Sequence, residues 1–304
     1  MATTVDGTAP PAQPLPEEQL TMQPEERRDT VLRVIRSAQK RLILSVFRCS
    51  DYLILDELAE AVSRKVRVEA LLTPRARGDE SKQLEALDTL LQHMGAEVFR
   101  YRDPIVKYHA KYMVADDGPA LVGTLNFTAK CFTNTCDFQL VTWDPEIISS
   151  LRGLFETDCV SPEAPLPDGL SDRLIVGPDR ARAKFTQLLS GAERAIRIID
   201  HKVADPQLVA LLKAKKEAGV SVEVLGSGEV GGMRSHGKML LIDDRVAIIG
   251  SIALAPLNLD FRREVALRID DPRCVAQLAG FFQNAVATKA AAPAAGAEED
   301  EDDD

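Results

Sequence analysis

The chain has 304 residues, room for one large domain or two of ordinary size, and its 45% apolar content suffices for a packed core. Its net charge of −10 is concentrated at the ends. Glu298 to Asp304 carries −7 and residues 1–30 carry −4, so the body is nearly neutral and an anionic substrate is not excluded. No apolar run is long enough to span a bilayer, and the proline-rich start lacks the basic and apolar regions of a signal peptide. The five cysteines form an odd set with no disulfide framework, which predicts free thiols in a reducing cytoplasm.

In chain order, residues 1–24, rich in Pro, Thr and Gln, are expected to be disordered. A first half is expected over 25–160. Its opening helix runs from Pro24 to about Gln39, with Val31, Val34, Ile35 and Ala38 on one face. Arg41 to Phe47 reads as a buried strand, Asp56 to Arg64 as a helix and Val66 to Leu72 as a strand. Ser81 to Met94 is helical, Gly95 stops it, and Glu97 to Tyr101 is extended. Residues 161–172, with three prolines and one glycine, form the linker. The opening order then returns over 173–288: helix Arg182 to Leu189, strand Ala195 to Ile199, helix Gln207 to Glu217, strand Val220 to Leu225. A closing helix follows at Pro272 to Thr288, and residues 289–304 form an acidic tail expected to be disordered. Two copies of alternating strands and helices predict an α/β fold with largely parallel pairing in each half.

Within this order one phrase occurs twice. His109-x-Lys111, followed by Asp116, Gly123, Thr124 and Asp137, is matched by His236-x-Lys238, followed by Asp243, Gly250, Ser251 and Glu264, every pair 127 residues apart. The opening elements repeat at an offset near 154. The second half has therefore lost about 27 residues, corresponding to the helix and strand at residues 81–101. Tyr108 to Asp116 and Ser235 to Asp243 read as strands. Side chains two apart in a strand share a face, so His109 projects with Lys111 and His236 with Lys238. A lysine beside a histidine repels a metal cation but suits a phosphate. The ammonium neutralises oxygen charge while the imidazole attacks phosphorus or passes a proton. Two copies supply one nucleophile and one general acid. Gly123-Thr124 and Gly250-Ser251 end the second strand of each hairpin, where amides and hydroxyls could hold a non-bridging oxygen. Asp137 and Glu264 are candidates to bond an imidazole nitrogen and fix its tautomer.

These residues resemble the phospholipase D superfamily, whose signature is H-x-K-x4-D followed by G-[ST]-x-N; the resemblance spans residues 30–285. It implies two α/β halves related by a pseudo-twofold, with the active site at their interface. It implies that one of His109 and His236 becomes a phosphohistidine while the other protonates the leaving alcohol, with His109 favoured as nucleophile. Lys111 and Lys238 would bind phosphate, supported by Thr124, Asn126 and Ser251. The signature carries Asp116 and Asp243 with the catalytic set, although strand alternation turns them to the opposite face, as structural groups. No metal or other cofactor is implied. One departure is Ala253, where the second copy should have Asn.

The expected function is a phospholipase D-like phosphodiesterase or phosphatidyltransferase acting on phospholipid. A nuclease acting on DNA or RNA and a non-catalytic phosphate-binding module are the alternatives. Few aromatics and no basic stripe favour lipid over nucleic acid. Lys213, Lys215 and Lys216 read first as a solvated helix face, with peripheral membrane contact as the sharper idea. Gly226-x-Gly228-x-x-Gly231 mimics a dinucleotide fingerprint but precedes a strand instead of a helix, so it reads as a loop beside His236. Cys131-x4-Cys136 lacks a second pair for a metal. His93 reads as a helix-end residue and His201 as a loop residue that could line a cleft.

Overall fold

The computed structural model describes residues 17–74, 79–226 and 228–291. The first half runs β1 (Glu18–Thr21), α1 (Pro24–Ser37), β2 (Arg41–Val46), α2 (Tyr52–Ser63), β3 (Arg67–Leu72), α3 (Asp79–Met94) and β4 (Glu97–Arg100). It continues with β5 (Lys107–Tyr108), β6 (Tyr112–Ala115), β7 (Ala120–Gly123), α4 (Ala129–Thr133), β8 (Thr135–Cys136), β9 (Gln139–Thr142) and α5 (Pro145–Val160). The second half runs β10 (Leu174–Val176), α6 (Ala181–Gly191), β11 (Ala195–Ile199), α7 (Pro206–Glu217) and β12 (Ser221–Leu225). Then come β13 (Glu229–Val230), β14 (Met233–Ser235), β15 (Lys238–Ile242), β16 (Val246–Gly250), α8 (Pro256–Phe261), β17 (Arg262–Arg263), β18 (Val265–Ile269) and α9 (Pro272–Ala291).

The sheet orders are β1-β9-β7-β6-β2-β3-β4 and β10-β18-β16-β15-β11-β12. Each is mixed, which corrects the expectation of largely parallel pairing. Helical crossovers make β2, β3 and β4 parallel, but the hairpin around each His-Lys phrase turns the remaining strands antiparallel. The second sheet stops at β12 because α3 and β4 have no counterpart there. Disorder through residue 24 is also corrected. Residues 18–21 pair antiparallel with β9 as β10 pairs with β18, and Leu20 and Leu174 are 154 residues apart. The tail expected to be disordered from residue 289 is corrected at its start, since α9 runs to Ala291, and residues 292–304 and 1–16 lie outside the described residues.

The repeat extends to individual bonds. Asp51 caps α2, accepting from Ile54 N, and Arg28 pairs with it at 2.8 Å. Asp205 caps α7, accepting from Leu208 N, and Arg182 pairs with it at 2.8 Å. Asp51 also moves the start of α2 to Tyr52, earlier than Asp56. Ser50 N and Asp51 N donate to Phe127 O, as Ala204 N and Asp205 N donate to Leu254 O. One core unites the halves, holding Tyr101, Phe138 and Phe155 from the first with Ile199, Leu267 and Phe282 from the second. Separate cores lie under α1–α3 and under α6–α7.

Candidate active site

The strands expected at residues 108–116 and 235–243 break at their histidines. β5 ends at Tyr108 and β6 begins at Tyr112, while β14 ends at Ser235 and β15 begins at Lys238. The arms before the breaks leave their own sheets and pair across the interface. β5 pairs with β17, Lys107 opposite Arg262, and β14 pairs with β8, Arg234 opposite Thr135. A shift of 127 residues converts each pairing into the other. His109 N donates to Arg263 O at 2.9 Å, and Gly237 N donates to Cys136 O at 2.7 Å. A Cβ on Gly237 would sit 2.6 Å from Cys136 O and 2.9 Å from the Thr124 hydroxyl, so the arms meet this closely only because residue 237 is glycine.

The exchange sets each imidazole against the carboxylate of the opposite half. His109 Nδ1 lies 2.5 Å from Glu264 Oε1, and His236 Nδ1 lies 2.8 Å from Asp137 Oδ1. Both carboxylates are fully buried, yet their surroundings differ. Asp137 accepts the hydroxyls of Thr124 and Thr135, each at 2.5 Å. Burial acts to raise its pKa, but His236 and the two hydroxyls outweigh burial and hold it below the usual carboxylate range. Glu264 accepts both contacts of the Asn258 amide, at 3.1 and 3.2 Å. Burial pushes it up to about 7 against the opposing charges of Arg262, Lys111 and Lys238. Those three cations come from both halves and act on one carboxylate.

Lys111 Nζ lies 3.0 Å from His109 Nε2, 3.2 Å from Nδ1 and 3.1 Å from His109 O. Lys111 and Lys238 are both buried, as is His109, while the His236 side chain is 17% exposed. The Phe47 ring packs edge-on against His109 with centroids 4.7 Å apart.

Asp116 and Asp243, carried with the catalytic set by the signature, stand away from the imidazoles. Asp116 accepts the backbone N–H groups of Gln39, Lys40 and Arg41, and Asp243 those of Glu193, Arg194 and Ala195. Both sit in turns with positive φ, 48° and 55°, which aspartate tolerates better than most residues. They tie each hairpin turn to the start of the neighbouring strand, and three N–H donors hold each carboxyl low despite burial acting to raise it.

Thr124 and Ser251, expected to support phosphate, are turned elsewhere. Thr124 holds Asp137, and Ser251 Oγ lies 3.3 Å from both Val265 O and Val265 N. Asn126 is buried, and its Oδ1 has no hydrogen-bond partner among the described residues, while its counterpart Ala253 is buried and apolar. Sequence reasoning missed Thr135, Asn258, Arg262 and Phe47. The 127-residue offset carried a signal for three of them, since it places Arg262 on Thr135 and Asn258 on Cys131.

Cys131 is grouped with Asp137 and His236, their ligand atoms all within 4.8 Å, whereas the spacing suggests Cys136 as its companion. The donor set fits a cation poorly. Both Asp137 oxygens already accept hydrogen bonds, and the fully buried Arg27 guanidinium bonds Cys131 O and Thr135 O beside them. Glu229 and Val230, between Gly228 and Gly231, form β13 of the β13–β14 hairpin, and His93 is exposed in the last turn of α3. Lys213 and Lys216 are exposed, and Lys215 bonds Ala192 O at 2.9 Å. The cysteines are free thiols, and no helix among the described residues is long and apolar enough to cross a membrane.

Residues 31–159 match the family described as "Cardiolipin synthase, PLD-like domain". Among curated relatives, the polyphosphate kinase of Mycolicibacterium gilvum is 28% identical over 278 residues, covering 79% of this chain and 37% of the relative. That of Vibrio vulnificus is 28% identical over 193 residues, covering 58% and 26%. The chain thus spans about a quarter to two fifths of the length of the curated relatives it matches. Polyphosphate kinase from Porphyromonas gingivalis superposes with a TM-score of 0.73 at 19% identity, over 91% of this chain and 50% of that one. Phosphatidylserine synthase from Haemophilus influenzae superposes with 0.71 at 14% identity, over 88% and 86%. At these identities the superpositions establish a shared fold.

Proposed function

We propose that this chain, whose residues 31–159 match a PLD-like family model, acts as a phospholipase D-like enzyme and transfers a phosphatidyl or phosphoryl group from a phosphodiester through a covalent phosphohistidine. One observation carries this reading: each imidazole has its Nδ1 set against a buried carboxylate from the opposite half, which makes Nε2 the reacting nitrogen, and in His109 that nitrogen faces the Lys111 ammonium at 3.0 Å.

The surroundings of the two imidazoles support a division of roles. Asp137, whose carboxyl is held low, can offset positive charge on His236, which suits a general acid. The Lys111 ammonium lies 3.0 Å from His109 Nε2 and donates to it, which favours the tautomer with its lone pair on that nitrogen, as a nucleophile needs. In the first step His109 Nε2 bonds to phosphorus, the bond from phosphorus to the leaving oxygen breaks, and His236 Nε2 delivers the proton to that oxygen. In the second, water or an alcohol gives its proton to His236 and attacks phosphorus, and the nitrogen–phosphorus bond breaks. Lys111 and Lys238 neutralise the non-bridging oxygens. Asp116 and Asp243 take no part. A reducing, cytoplasmic setting fits the five free thiols.

Phospholipid is the substrate class we favour. Arg262 favours a second reading, transfer from a phosphoanhydride chain, because it adds a third cation 3.9 Å from Glu264 where the first copy has Thr135. Relatives named polyphosphate kinase support the same reading.

The test is a brief reaction with labelled substrate, across phosphatidylcholine, phosphatidylglycerol, cardiolipin, polyphosphate and single-stranded DNA. Base-stable, acid-labile label on the protein, lost in His109→Ala, is expected. Turnover without any trapped label in wild type and in His236→Ala would overturn the covalent route. Cleavage of DNA in chelator, with no release from vesicles, would transfer the reading to nucleic acid.

A further inference from the structure

The α3 helix exists only in the first half, and it does more than cover the sheet. Leu84, Leu87 and Leu91 recur at helical spacing and are buried. Leu84 and Leu87, together with Leu55 of α2 and Phe47 after β2, line a half-open pocket of about 270 Å³ whose rim also carries Arg48, Ser50 and Gln83. Leu90 also lines it while remaining 38% exposed, so part of its mouth is apolar. A space of about 150 Å³ is enough for a benzene ring, so this pocket has room for a longer hydrocarbon.

Its position relates it to the reaction centre. Phe47 is common to both: it lines the pocket, and its ring packs edge-on against His109 with centroids 4.7 Å apart. The Lys111 ammonium lies 5.6 Å from the same ring centre. The Arg48 guanidinium lies 5.3 Å from that centre and also lines the cavity. An anionic group near His109 and an aliphatic chain beyond Phe47 would thus each meet complementary surroundings. Among the described residues, the second half has no helix in the corresponding place. It lacks α3 and β4, and His201, 154 residues after Phe47, stands at the corresponding place beyond β11.

We infer that this cavity binds the aliphatic chain of an amphiphilic phosphate ester whose phosphoryl group lies at His109. The orientation rests on the phosphohistidine reading. The chain-bearing part stays on the His109 side and is the part transferred, while the polar alcohol departs toward His236. The one-sidedness of the cavity makes the two ends of the substrate distinguishable in a site otherwise built on a repeat.

The experiment is calorimetric titration of the full chain with n-alkylphosphonates from methyl to decyl, which cannot be turned over, below their micelle concentrations. Affinity should rise about fourfold per added methylene and then level off when the cavity is full. Leu87→Trp, which fills the cavity, should flatten that rise while leaving the Kd of methylphosphonate unchanged. Leu84→Phe serves the same purpose should the tryptophan variant not fold. Affinity independent of chain length in the wild type would overturn the inference, as would a chain-length dependence untouched in both folded variants. If chain length fails to matter while label is still trapped on His109, this inference falls alone. If the chain-length series behaves as expected but no label is trapped, the covalent mechanism falls and the cavity assignment stands.

Discussion

Asp137→Asn separates charge from shape at the proposed acid. Asp137 Oδ1 accepts His236 Nδ1 at 2.8 Å and the Thr124 hydroxyl at 2.5 Å, and Oδ2 accepts Thr135 at 2.5 Å. An amide keeps the volume, but one arm becomes a donor aimed at groups that themselves donate. Whichever way it turns, the bond between a carboxylate and a charged imidazole is lost. Bonds to charged groups contribute about 1.5–3 kcal/mol, which corresponds to a roughly ten- to 150-fold slower step wherever His236 gives up a proton. The assay is single-turnover kinetics on two diesters that share the transferred part. One releases a simple alcohol, which needs that proton, and the other releases nitrophenolate, which does not. The variant should be slowed on the alcohol ester and nearly unaffected on the nitrophenyl ester. Equal losses on both, with the fold intact, would refute the assignment of His236. Acid stability gives an independent reading. A carboxyl held below its unfolded value stabilises the fold above about pH 4, and that contribution is lost as pH falls through the folded value. The Asn variant should lose that part of the acid sensitivity.

Other outcomes follow from the same geometry. Glu264, raised to about 7, binds a proton more tightly folded than unfolded, so its contribution to stability is present below about pH 4 and fades as pH rises through about 7. Glu264→Gln should flatten that decline in urea midpoints measured from pH 4 to 8. Asp116→Ala and Asp243→Ala should each lower stability by about 1–3 kcal/mol, through three N–H groups left without their acceptor, while leaving phosphohistidine formation intact in the folded fraction. Complete loss of labelling in well-folded protein would return them to the catalytic set. Arg262→Thr installs the residue of the first copy; it should raise KM severalfold for phosphoanhydrides, whose transferred group carries more charge, and less for diesters. Steady-state comparison of the two substrate classes decides this.

Much of the site was readable because the repeat duplicates rare residues. The 127-residue offset located both His-Lys pairs and both late carboxylates. What it could not reveal was which imidazole each carboxylate serves, since that depends on the strands breaking at His109 and His236 and crossing to the other half. Periodicity extends a strand through any apolar run, and nothing in Tyr108 to Asp116 marks a departure from the sheet. Strand β1 was missed because Glu18-Gln19-Leu20-Thr21 offers one apolar residue, and its pairing with β9 depends on a segment more than a hundred residues away. Parallel pairing was overestimated because alternation of strands and helices governs only β2 to β4 and β11 to β12. Thr135 and Asn258 escaped notice because each serves a carboxylate fixed by tertiary contact, which no local spacing encodes.

The strand exchange at the interface has a consequence for assembly. Neither half supplies the carboxylate that faces its own imidazole, so under the proposed mechanism each should be inert until the other has docked in register. Severing the connection at residues 161–172 would yield two fragments that regain turnover only by reassociating. A molecule bearing a single copy could form the same centre only by joining a twin. On the proposed covalent route, completion of the interface thereby acts as a safeguard, because a half-formed site lacks the carboxylate that each imidazole is set against.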